Sequence, residues 1–255
     1  MILNAIQSGE GPPVVLLHGL FGTARNFGAI QRPLAARFRV IALDMRNHGA
    51  SPHGTDMRYQ AQAADVLETL EARDALPAAV IGHSMGGKAA MATALIRPEA
   101  VGRLLVSDIA PVPYQHGNAA FAEAMKAIPL SASLTRAQAD AALAGVVDDP
   151  ALRAFLLQNL TFGSSPGWRI GLHEITAAIP DLEGWLPIPG RYDGRTLFVA
   201  GARSDYLRVE DRPAIRELFP DARFVTIKNA GHWVHADNPT GFLSIVEAFL
   251  EAWRR

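Results

Sequence analysis

Short apolar runs that stop abruptly at a polar residue, separated by stretches of helical character, constrain this chain more than any other feature. Val14-Val15-Leu16-Leu17 stops at His18-Gly19, and Val40-Ile41-Ala42-Leu43 stops at Asp44. Neither run alternates polar with apolar residues, so both faces of each strand must be covered, as in a parallel sheet between two layers of helices. The spacing predicts a helix over 24–36 between them, then a helix near 58–72, a strand at Ala79-Val80-Ile81, a helix over 84–97 and a strand at Leu104-Leu105-Val106. Strand and helix alternation of this kind makes right-handed crossover units. The expected class is therefore α/β, with a mostly parallel twisted sheet and helices on both faces.

After Pro111-Val112-Pro113 the rhythm breaks, and every periodic segment up to Gly190 reads as helical. Thr135-Arg136-Ala137-Gln138 has the spacing of a capping box, Asp149-Pro150 suits an N-cap followed by proline, and 168–178 reads as a third helix, with Pro180, Pro187, Pro189 and Gly190 closing the stretch. Strands return at Leu197-Phe198-Val199-Ala200 and Phe224-Val225-Thr226-Ile227, with a helix near 208–218 between them and a last helix opened by Asn238-Pro239. This predicts an α/β core over residues 1–111 and 191–255, interrupted by a helical cap over 112–190. A chain of 255 residues, 49% apolar, is long enough to bury such a core.

Composition then removes several functions. A net charge of −1 provides no basic field for a polyanion, which argues against nucleic acid as a partner. No run reaches the roughly 18 to 20 apolar residues needed to span a bilayer. The opening MILNAIQSGEGPP lacks the basic and apolar regions of a secretion signal, so a soluble cytoplasmic protein is expected. With no Cys, thiolate nucleophiles, disulfides and Cys-type zinc sites are excluded, and no metal-binding cluster is evident. Oligomeric state is left unconstrained.

The chemistry concentrates at Gly82-His83-Ser84-Met85-Gly86-Gly87, between a buried strand and a helix. A turn this tight strains its central residue and lifts the Ser84 hydroxyl above the sheet, at a helix N-terminus that favours developing negative charge. A serine hydroxyl is a poor nucleophile at neutral pH, so a base must take its proton. Of eight histidines, His18, His48 and His83 are expected to make local hydrogen bonds, His116 and His173 fall in the cap, and His235 is expected to pack a helix. His232, in Ala230-Gly231-His232-Trp233 after the last strand, opens at the same carboxyl edge as Ser84 and is the expected base. Two backbone N–H groups should hold the oxyanion: that of Met85, following the nucleophile, and that of Leu20, in the loop His18-Gly19-Leu20-Phe21-Gly22. Phe21 and Trp233 are expected to contact substrate, and Phe121, Phe155, Phe162, Trp168 and Trp185 are candidates to line an acyl pocket.

HGLFG, DMRNHGASP, GHSMGGK, SDIAP and AGHWVHADNP, in this order and at these intervals, resemble the α/β-hydrolase superfamily and, within it, small bacterial esterases of the YbfF type. The resemblance covers the whole core and is diffuse in the cap. It implies a serine esterase or thioesterase that hydrolyses small or linear acyl esters through an acyl-enzyme, with no cofactor. Members of the superfamily usually carry their third catalytic residue after the penultimate strand, here Gly201-Ala202-Arg203-Ser204-Asp205, but the usual interval falls on Ser204 and leaves Asp205 one residue late. Similar esterases use the position of Asp108, which is therefore the expected acid, with Asp205 as the alternative. A carbon–carbon bond hydrolase, a perhydrolase and a catalytically inactive ligand-binding homologue remain alternatives on the same fold.

Overall fold

A computed structural model describes residues 1–115, 117–251 and 253. The chain begins with β1 (Ala5–Ser8), β2 (Pro13–Leu17), α1 (Gly28–Leu34), β3 (Arg39–Leu43), α2 (Tyr59–Glu71), β4 (Ala78–His83), α3 (Met85–Ile96) and β5 (Val101–Ser107). A helical segment follows, with α4 (Asn118–Lys126), α5 (Arg136–Leu143), α6 (Pro150–Leu156), the short strands β6 (Leu160–Thr161) and β7 (Gly167–Trp168), α7 (Leu172–Ala177) and α8 (Ile179–Glu183). The chain then returns to the sheet with β8 (Thr196–Gly201), α9 (Arg212–Leu218) and β9 (Arg223–Ile227), and closes with α10 (Val234–Asp237) and α11 (Pro239–Leu250).

Seven strands form one sheet in the order β1-β3-β2-β4-β5-β8-β9. All pairs are parallel except β1 with β3. The unalternating apolar runs follow from burial on both faces. Val15, Leu17, Val80 and Val106 pack to one side with α2, α3 and the helical segment, while Val14, Leu16, Ile81 and Leu105 pack to the other with α1 and α11. Complete burial of each such side chain contributes roughly 1.5–3 kcal/mol.

Four departures from the sequence reading have local causes. The antiparallel strand β1 has no counterpart in that reading, because its Ala-Ile-Gln-Ser is short and only half-buried at the sheet edge. The helix expected over 24–36 is split into a 3-10 turn over Ala24–Phe27 and α1, with Asn26 Oδ1 accepting from the Thr23 N–H at 2.6 Å. The helical segment is not wholly helical: Trp168, expected at the start of a helix over 168–178, pairs with Leu160 in a hairpin, and the Gly171 N–H is drawn to the Asn47 carbonyl at 2.8 Å, so α7 starts only at Leu172. Pro180 does not close the segment but opens a further helix, α8, where its missing N–H costs nothing. The expected caps form: Thr135 and Gln138 bond reciprocally ahead of α5, and Asp149 Oδ1 accepts from Ala151 N–H at 2.8 Å ahead of α6. His116 lies outside the described residues. Among the described residues no helix is long and apolar enough to cross a membrane.

Candidate active site

Ser84 stands between β4 and α3 with φ 53° and ψ −120°, a conformation that costs a non-glycine residue on the order of 1–3 kcal/mol and persists only where its surroundings over-determine it. They do so by close approach. A Cβ on Gly82 would lie 2.1 Å from the Gly86 carbonyl oxygen, and one on Gly86 would lie 2.3 Å from that of Leu17, so the strand, the turn and the helix can meet only through glycine. The Ser84 N–H is fixed to the Ser107 carbonyl at 3.0 Å.

Asp108 leaves the end of the neighbouring β5 with φ 54° and is fully buried. Its Oδ1 accepts from the Gly201 N–H at 2.9 Å, and its Oδ2 takes the Ser204 hydroxyl and His232 Nδ1, the latter at 2.8 Å. His232 Nε2 lies 3.0 Å from Ser84 Oγ. The three side chains thus form one hydrogen-bonded line from a buried carboxylate to the strained serine. The Tyr206 ring covers one face of the imidazole, with centroids 3.7 Å apart, and His83 Nε2–H donates to the His232 carbonyl at 2.8 Å, holding the loop from behind. Asp205 does not join them: its side chain is 69% exposed and pairs with Arg208.

The amides of Leu20 and Met85 have no hydrogen-bond acceptor among the described residues, whereas the neighbouring Phe21 N–H donates to His48 Nε2 at 3.1 Å. Met85 opens α3, so its N–H has no intrahelical partner in any case. Leu20, Phe21, Ser84, Met85, His232 and Trp233 line one cleft. Phe121 and Phe155 line it as well. Phe162, Trp168 and Trp185 do not: Phe162 is partly exposed, Trp168 belongs to the hairpin, and Trp185 packs near Tyr59 with ring centroids 5.9 Å apart.

Of the remaining described histidines, His18, His48, His83 and His235 are buried, and His53 and His173 are exposed, the latter on α7. Burial, reinforced by His18, holds the His48 imidazole down at about 3, and burial, reinforced by His232, holds His235 at about 4. Three residues of the site are given no role in the sequence reading. Ser204 bonds Asp108 from the interval where a carboxylate would usually stand, and Tyr206 follows it on the same loop. Lys88, four residues after Ser84 and so on the same helix face, also lines the cleft, and that spacing is the one signal that could have found it. Its ammonium donates to the carbonyls of Glu183 and Gly184 at 3.1 and 2.7 Å, and burial lowers its pKa to about 7.

Comparison with known proteins identifies the family. Residues 12–239 match the family described as the alpha/beta hydrolase fold. The mouse sn-1-specific diacylglycerol lipase ABHD11 is 40% identical over 94% of this chain and 81% of its own length. Esterase YbfF of Escherichia coli is 38% identical over 93% of this chain and 92% of its own. The solved structure of a marine microorganism esterase superposes with a TM-score of 0.94 at 37% identity, covering 98% of this chain and 99% of that one. With its sheet order, serine turn and late histidine already in place, the chain belongs to the α/β-hydrolase family, as a hydrolase similar to YbfF-type esterases.

Proposed function

We propose that this protein is a serine esterase that hydrolyses small or linear acyl esters, or thioesters, through an acyl-enzyme on Ser84. The observation that carries the reading is the unbroken line Ser84 Oγ, His232, Asp108 beside two amides without acceptors. Ser84 Oγ attacks the acyl carbonyl carbon as its proton passes to His232 Nε2. The N–H groups of Leu20 and Met85 hold the resulting oxyanion. The tetrahedral intermediate collapses, and His232 Nε2–H protonates the departing alcohol or thiol. Water then attacks the acyl-enzyme, gives one proton to His232, and the second collapse releases the carboxylic acid and returns the proton to Ser84. Asp108 stays ionised throughout, fixing the imidazole tautomer and offsetting its transient positive charge.

Residues 112–190 serve in this reading as a cap. Phe121 and Phe155 from that segment share the cleft with Ser84, which favours a slender acyl chain over a bulky one. The relatives named esterase and diacylglycerol lipase support ester chemistry of this kind. The test is labelling with a fluorophosphonate followed by mass spectrometry. The adduct is expected on Ser84, with hydrolysis of p-nitrophenyl butyrate lost in Ser84→Ala. A label on another residue, or full activity in that variant, refutes the assignment.

A further inference from the structure

Of the two proposed oxyanion donors, the Met85 amide is held by a helix start, but the Leu20 amide sits in a free-standing loop whose direction something must set. Gly19 brings that loop against the nucleophile, since a Cβ added to it would stand 3.2 Å from the Cβ of Ser84. The carbonyl of Gly19 accepts from His18 Nδ1–H at 2.8 Å and from the Gly22 N–H at 3.0 Å. In a trans peptide the N–H points opposite to the carbonyl, so these two bonds leave the Leu20 N–H directed away from His18 and Gly22, in the opposite direction within the peptide plane. The next peptide is held through the Phe21 N–H on His48 Nε2, and the one after it through the Phe21 carbonyl, which accepts from Asn159 Nδ2 at 2.8 Å. Between them Phe21 adopts φ 61°, a conformation a bulky residue keeps only when it is held from outside.

The two rings do this with the same tautomer, the proton on Nδ1 and Nε2 free to accept. His18 Nε2 accepts from the Met45 N–H at 2.9 Å, so its proton is on Nδ1; His48 Nδ1–H donates to the Arg46 carbonyl at 2.8 Å, which leaves Nε2 as an acceptor. A second proton on His48 would set two donors against each other at Phe21. Burial of both rings opposes it. Asn159, itself 1% exposed, reaches the loop from the helical segment.

We propose that His18, His48 and Asn159 are positioning residues for the oxyanion hole, holding three successive peptides of the Gly19–Gly22 loop so that the Leu20 N–H meets the developing anion. This rests on the reading of Leu20 as a donor. The test compares p-nitrophenyl butyrate with its thionoester, because a thiocarbonyl sulfur is a poor hydrogen-bond acceptor and cannot use the hole. The wild type should strongly prefer the ester. His48→Leu and Asn159→Leu should each lower kcat by about 10²-fold with KM changed less than about threefold, the size expected for displacing one donor. In both, the preference for ester over thionoester should shrink at least about tenfold. His48→Gln, whose side-chain oxygen can accept from Phe21, should recover most of kcat. Because the two leucine variants release different peptides of the loop, either one that folds decides the matter. A folded variant that keeps the full ester preference overturns the brace and leaves the hole standing. A wild type that treats both substrates alike overturns the hole and the brace together, while Ser84 labelling, measured separately, still reports on the nucleophile.

Discussion

Two aspartates stand at the carboxyl ends of neighbouring strands and meet opposite fates. β5 and β8 are paired with Ser107 opposite Val199, and each strand is followed within a few residues by an acid, Asp108 and Asp205. Asp108 is fully buried with both oxygens occupied, whereas Asp205 is exposed and pairs with Arg208. A buried carboxylate costs several kcal/mol unless donors surround it, and here a backbone N–H, a hydroxyl and an imidazole do so. In the proposed triad, nearness to the sheet edge does not select the acid; the donors converging on it do. Two of the three come from the β8 side, Gly201 and Ser204, so the loop that lacks a converging carboxylate instead holds its neighbour's.

The largest effect should follow from breaking that cluster at its centre. Asp108→Asn preserves shape but allows the imidazole to take the wrong tautomer, and in a serine-protease triad the same exchange lowers turnover roughly 10⁴-fold. A loss of that order in kcat, with KM little changed and the protein still folded, is the expected outcome. A loss below about tenfold would mean that His232 is oriented from elsewhere.

Burial acts on bases at this edge as it does on acids, and it makes acid stability the next effect. His48 and His235 fall from the usual 6.5 to about 3 and about 4 in the folded protein. Their contribution is complete above pH 6.5 and is lost as pH falls, because the unfolded chain takes up protons first. Between pH 6.5 and 5 these two groups should remove about 3 kcal/mol of stability, a change of about 10² in the folding equilibrium. Urea titrations at the two pH values would measure it. His235→Phe, placed among Phe27 and Phe242, should cut the difference by about 1.5 kcal/mol, its own share, and an unchanged difference would show that His235 does not titrate on unfolding.

How much of this is legible in the sequence follows from how local each signal is. The strands β2 to β5 announce themselves through unbroken apolar runs, and the glycines around Ser84 carry the turn within six residues. The order of His232 after the last strand is equally local. The choice between Asp108 and Asp205 is not, because it depends on where a side chain points after two different strands have paired. Ser204 escapes notice because a hydroxyl at that interval has no meaning until Asp108 lies beside it. The hairpin of Leu160–Thr161 and Gly167–Trp168 is too short to show a period, and Asn159 and His48 matter only through contacts with Phe21 more than twenty residues away.

Ser204→Ala sharpens the comparison by removing one donor without touching the line from Ser84 to Asp108. A hydrogen bond to a charged group is worth roughly 1.5–3 kcal/mol when both partners are buried, but Gly201 and His232 continue to hold the carboxylate. The expected loss in kcat is therefore about tenfold, with Ser204→Thr retaining most of the activity. A loss as large as that of Asp108→Asn would make the hydroxyl an equal member of the line.

Asp205→Asn is the smallest change and the cleanest measure of the contrast. Its carboxylate makes a 3.4 Å contact with Arg208 on the protein surface, and its side chain is 69% exposed. Exposed pairs of this geometry are screened by water and salt and contribute little. The backbone carbonyl of Asp205 also accepts from Arg208 Nε at 2.8 Å, so the arginine stays tied to the loop after the side-chain charge is gone. The Asp205 charge acts on the Tyr206 hydroxyl, but the stacking of Tyr206 on His232 and the Ser204 bond to Asp108 are made by other groups. Activity in Asp205→Asn should stay within about threefold of wild type, and adding the exchange to Asp108→Asn should cost no more than that again, because among the described residues the two carboxylates share no hydrogen-bond partner. If Asp205→Asn alone cost about 10²-fold, the acid would belong to β8 after all, and the hydrogen bonds around Asp108 would describe a structural anchor.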